Sequence, residues 1–167
     1  MVSTNKITKS SILISINVML FTFSKILNIA DLTLLTISSM ISCLSIIKLN
    51  IKYCYLILIS STICAIIFGL VEYAIIYLFF FGSYPIIKFY IEKFCNIPIE
   101  IFFKISYFNI LFLIVFFLYS KLFLPLKITY TSITIFSGGF SILFMFYDLI
   151  LTRIINFIYS NKILNNL

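Results

Sequence analysis

YAIIYLFFFGSYPIIKFYIEK, residues 73 to 93, decides the fold. Tyr73 to Phe81 is an unbroken apolar run, and Gly82, Ser83, Tyr84 and Pro85 follow in succession. From Ile86 onward apolar residues alternate with Lys88, Glu92 and Lys93 at helical spacing. Proline cannot donate to the helical ladder and its ring clashes with the preceding turn. The stretch therefore predicts a helix that enters a bilayer, bends near Gly82–Pro85, and leaves as a basic amphipathic end at the membrane surface.

Composition carries this reading outward to the whole chain. Of 167 residues, 63% are hydrophobic and 10% are charged, and the mean hydropathy is +1.22. Soluble domains are about 25% charged, which excludes a soluble core here. The sequence predicts one membrane domain spanning 1–167, an all-α bundle in the cell membrane with the lipid bilayer as its first partner. The net charge of +7 does not point to nucleic acid, because the basic residues sit singly or in pairs between apolar runs. With no histidine, the commonest general base and metal ligand is missing. Cys43, Cys54, Cys64 and Cys95 form no CxxC pair and read as small apolar filler. Neither an enzyme, a metal nor a cofactor is expected.

Six spans follow from the hydropathy pattern. The first is predicted at 10–29, after a flank carrying Lys6 and Lys9, as an uncleaved helix. It holds Ser11 and Ser15, a small-xxx-small pair suited to close helix approach, and Asn17, a polar group that needs a partner in the bilayer. Lys25 is placed to snorkel at its far end. Asp31 opens a second span at 32–47 as a candidate N-cap, and Ser38, Ser39, Ser42 and Ser45 suit helix packing there. A basic loop, 48–52, leads to a third span at 53–68, and a short acidic turn, 69–72, leads to the stretch quoted above. The sequence also allows 53–93 to be one long bent hairpin. Pro98 fits the first turn of a fifth span at 101–119, with Lys104 four residues after Glu100. A loop at 120–130 holds Lys121, Pro125 and Lys127, and the last run, 131–159, is longer than a bilayer requires.

Six alternating spans with the N-terminus inside place nine basic residues at the inner face. They are Lys6, Lys9, Lys48, Lys52, Lys88, Lys93, Lys104, Arg153 and Lys162, against Lys25, Lys121 and Lys127 outside. The positive-inside rule then puts both termini in the cytoplasm.

Candidate sites are few. Asp148 and Arg153 lie in an apolar helix, where charge is costly and usually meets a partner. Arg153 is five positions from Asp148, an imperfect intrahelical spacing, so Lys88 is the alternative partner. An intramembrane charge set of Lys88, Asp148 and Arg153 serves either as a structural pair or as a coupling site. Asn17, Glu72 and Asn109 are the candidate ligand contacts, although Glu72 also reads as a solvated turn residue.

Three patches carry a resemblance. They are Phe81-Gly82-x-Tyr84-Pro85-Ile86-x-Lys88 with Glu92-Lys93, then Phe108-Asn109, then Tyr147-Asp148-Leu149-x-Leu151-Thr152-Arg153. These look like a group of small uncharacterised membrane proteins of Gram-positive bacteria. That group is similar to the substrate-binding (S) subunits of energy-coupling-factor transporters. The resemblance implies capture of a small, vitamin-like molecule, and Ser11 and Ser15 docking on a transmembrane coupling subunit that works with ATPases. Against it stands a second reading, a membrane assembly or scaffold protein without a ligand.

Overall fold

The computed structural model describes residues 4–27, 31–92, 96–122 and 130–160, and their side chains except at 115–136 and 158–160. These residues are helical: α1 (Thr4–Leu27), α2 (Asp31–Lys48), α3 (Ile51–Ile67), α4 (Val71–Ile76), a π-turn (Tyr77–Phe81), α5 (Ser83–Ile91), α6 (Ile97–Leu122) and α7 (Tyr130–Ser160). No strand occurs among them. α4, the π-turn and α5 form one continuous 21-residue stretch, Val71–Ile91, apolar enough to cross a membrane. Thr4–Leu27, Asp31–Lys48, Ile97–Ile114 and Ser137–Phe157 also qualify, while Ile51–Ile67 is a shorter apolar helix. At 1.5 Å per residue its 17 residues still reach about 25 Å. Side chains such as Ile26, Ile67, Phe102 and Leu143 are exposed on the helix surfaces, as a lipid solvent demands. The chain is a multi-pass integral membrane protein built as an all-α bundle.

The helices group into two compact units, 1–90 and 91–167. In the first, α1, α2 and α3 pack together, with the π-turn set against α2 and α3. α1 begins at Thr4, six residues before the predicted start. Nothing between Thr4 and Ser10 breaks a helix, and the hydroxyls of Thr8 and Ser10 donate to the carbonyls of Thr4 and Lys6 at 3.0 and 2.8 Å. Its buried line is Ser10, Asn17, Phe21 and Ser24. The four serines of α2 that sequence marked for packing are all fully buried, which lets the three backbones approach closely.

Turn chemistry separates α3 from the helix after it, so 53–93 holds two helices joined by a tight turn. Gly69 takes φ +71, the left-handed conformation that glycine adopts without penalty. Gly69 N–H donates to the Ile66 carbonyl at 3.0 Å and Leu70 N–H to the Ala65 carbonyl at 2.9 Å, the bonding pattern of a Schellman stop. Leu70 and Ala65 then pack in one core cluster with Phe21, Leu35, Ala74 and Tyr77.

In the second unit α6 and α7 run antiparallel. Phe108 stacks on Phe144 at 4.4 Å between ring centroids, and Phe112 meets Phe140 at 5.3 Å. Each step of four along α6 meets a step of four back along α7. Pro98 sits in the first turn of α6, where its missing N–H costs nothing. The centre of the predicted 120–130 loop, with Pro125 and Lys127, lies outside the described residues, as do Lys93, Cys95 and Lys162.

Candidate functional site

A polar core lies inside the first unit. Asn17 of α1 is fully buried, and its amide nitrogen donates to the Tyr77 hydroxyl at 3.2 Å and to Ser61 Oγ of α3 at 3.4 Å. Its amide oxygen accepts from Ser38 Oγ of α2 at 3.0 Å. Tyr77 OH and Ser42 Oγ lie 3.1 Å apart, and Ser42 Oγ reaches the Ser38 carbonyl at 3.4 Å. One proton order satisfies the set: Tyr77 accepts from Asn17 and donates to Ser42, which donates to the backbone of Ser38. Five side chains from three helices and the π-turn thus close a network that water does not reach. A polar group left unpaired in hydrocarbon costs several kcal/mol, and here Asn17 uses both amide hydrogens and its oxygen.

The π-turn makes this possible. Gly82 N–H bonds to the Tyr77 carbonyl at 2.6 Å, five residues back rather than four, and the Ser83 hydroxyl covers the Phe79 carbonyl at 2.6 Å. Pro85, three residues after Gly82, cannot continue the ladder, so the widened turn sits where bonds are already lost. A Cβ on Gly82 would lie 2.9 Å from Leu58 Cδ1 and 2.9 Å from Cζ of Tyr77. Glycine therefore gives the Tyr77 ring room beside Gly82, and Phe21 packs tilted on the same ring at 5.0 Å between centroids.

The other predicted ligand contacts lie elsewhere. Glu72 is exposed at the start of α4. Asn109, in the second unit, is half-buried; its amide donates to the Ile105 carbonyl at 3.0 Å and its oxygen accepts from Ser141 Oγ at 3.4 Å. Ser11 and Ser15 face outward from α1, one residue round from the buried Ser10 line, and their hydroxyls turn back to the carbonyls of Ile7 and Ser11.

At the ionic site the structure brings in a residue the sequence reading had assigned elsewhere. Lys104 Nζ lies 3.0 Å from Asp148 Oδ2 of α7, 3.6 Å from Glu92 Oε1, and against Glu100 Oε1. The Glu100–Lys104 contact has the helical spacing expected of it; the Asp148 and Glu92 contacts are long-range. Lys104 is buried, Arg153 is exposed, and Lys88 is buried in the first unit. Three of the chain's five carboxylates thus gather on one ammonium. Among the described residues no group of three or more His, Cys, Asp or Glu is placed to hold a metal ion.

Sequence reasoning missed Tyr77, Ser61 and the wider role of Lys104. A tyrosine within a run of Phe and Ile reads as apolar bulk. The usable signal was Gly82, because a helix that spends a glycine five residues after a tyrosine makes room for a ring. Compared with family models, curated proteins and solved structures, the chain matches none.

Proposed function

We propose that this chain is a non-catalytic subunit of a membrane assembly, acting through its helix surfaces rather than through a ligand held in its first unit. The observation that supports this is the closed polar core. A binding site keeps polar groups open for its ligand, whereas Asn17, Ser38, Ser61 and Tyr77 use theirs on one another. The exposed Ser11–Ser15 line on α1 is then the face offered to a partner helix, since small residues permit close backbone approach. Purification of the full chain in mild detergent tests this. A membrane partner should co-elute, and Ser15→Leu should lose it while inserting and melting like wild type. A partner retained by Ser15→Leu, or a wild-type chain that elutes alone, contradicts the reading.

One observation favours the transporter reading in its place. Asn109 and Ser141 form a half-buried polar pair in the second unit, on the same two helices as the Phe108–Phe144 and Phe112–Phe140 contacts. A coupling subunit with ATPases in the eluate, together with a small molecule whose binding is weakened by Asn109→Ala, would decide for that reading.

A further inference from the structure

The first unit is electrically polarised along its axis. α1, α2 and α3 alternate in direction: Ser24 Oγ meets Asp31 Oδ1 at 2.6 Å at one end, and Lys6 Nζ stands 6.0 Å from the centre of the Tyr53 ring at the other. The start of α1, the end of α2 and the start of α3 therefore share an end. That end carries Lys6, Lys9, Lys48 and Lys52, all exposed. The only carboxylates in residues 1–90 are Asp31 and Glu72. Both open helices at the opposite end, where Tyr73 OH reaches Asp31 Oδ1 at 3.4 Å.

We infer that this lysine rim binds the headgroup phosphates of anionic phospholipids. Four ammonium groups stand on three helix ends at one end of the unit, at the edge of its apolar surface. Their stems can lie along that surface while the charges reach the headgroup layer. Half-buried Tyr53 beneath Lys6 is an aromatic suited to the same depth. The lysines are exposed and distributed over three helix ends, which fits several lipid phosphates better than one soluble anion. Each lysine close to an anionic surface contributes about fivefold in affinity, screened by salt.

Native mass spectrometry of the full chain in detergent, titrated with phosphatidylglycerol or phosphatidylcholine, tests this. Phosphatidylglycerol adducts should form at least about tenfold more tightly at low salt, and the preference should collapse at high salt. Lys48→Gln or Lys52→Gln should each weaken it by up to about fivefold, and the fourfold Lys→Gln variant should abolish it. Lys25→Gln, at the other end, and the fourfold Lys→Arg variant should keep it. Equal binding of the two lipids, or a preference untouched by the fourfold Gln variant, overturns the inference. So does millimolar inorganic phosphate displacing the lipid completely, which would assign the rim to a soluble anion. If the fourfold Gln variant does not fold, the salt dependence of wild type and the two single variants decide.

Discussion

Asn17 Nδ2 donates to the hydroxyl of Tyr77 at 3.2 Å, across 60 positions of sequence. This bond ties the first helix to the π-turn, Tyr77–Phe81, that precedes Gly82 and Pro85. In a bilayer, burying apolar surface does not favour helix association, because lipid is as apolar as leucine. Packing of small residues and hydrogen bonds between helices must select the arrangement. Serines at Ser38, Ser42 and Ser61 let the backbones close in, and the Asn17 amide together with the Tyr77 hydroxyl joins their hydroxyls into one set. A slip of any helix by one residue would leave buried polar groups unpaired.

The glycines should respond differently to the same change. Gly82→Ala places a methyl group against Leu58 and the Tyr77 ring, and overpacking of this kind costs about 1–3 kcal/mol. Gly138 meets nothing within 4 Å of a Cβ position, so Gly138→Ala should stabilise α7 by up to about 1 kcal/mol through helix propensity. Thermal melts of both variants in detergent check this, with Gly82→Ala expected below wild type and Gly138→Ala at or above it.

Lys104 is the hub of the ionic site, which makes the outcome of its removal directional. Lys104→Met leaves Asp148, Glu92 and Glu100 facing an apolar side chain, and loss of one partner from a buried pair costs on the order of 3 kcal/mol. Asp148→Asn still leaves Lys104 with Glu100 and Glu92, so it should cost less. Combining Lys104→Met with Asp148→Asn should recover part of the Lys104→Met loss, which chemical unfolding of the three variants would measure.

Helix number and rough placement were legible because hydropathy is local: an apolar run of sufficient length announces a span wherever it lies. Faces were harder. Ser10 and Ser11 are neighbours in sequence, yet Ser10 is buried and Ser11 is exposed. The small-xxx-small pattern of Ser11 and Ser15 carries no sign of which face meets this chain's own helices. Asn17 was recognisable as needing a partner, but its partners come from 21, 44 and 60 residues away. Lys104 was assigned to Glu100 because that spacing is local; Asp148, 44 residues on, is not. The early start of α1 was missed because lysines and threonines look like a flank, although both extend a helix when nothing stops it.

Orientation follows from charge. Lys52 and Lys25 are exposed at opposite ends of the first unit, and the nine-to-three distribution of basic residues predicts the Lys52 end to be the inner one. In a cysteine-free background, Lys25→Cys should react with an impermeant thiol reagent on intact cells, and Lys52→Cys should react only after lysis. Labelling of position 52 from outside would reverse the orientation.

A double-mutant cycle between Asn17→Leu and Tyr77→Phe tests the central claim, that the buried polar core holds the helices together, most directly. Reversible unfolding in mixed micelles gives the four stabilities. Asn17→Leu should cost about 1–3 kcal/mol, because it also strands Ser38 and Ser61. Tyr77→Phe should cost less, and the two should couple by at least about 0.5 kcal/mol, within the range measured for hydrogen bonds between membrane helices. Additive effects, or an Asn17→Leu variant as stable as wild type, would contradict the account.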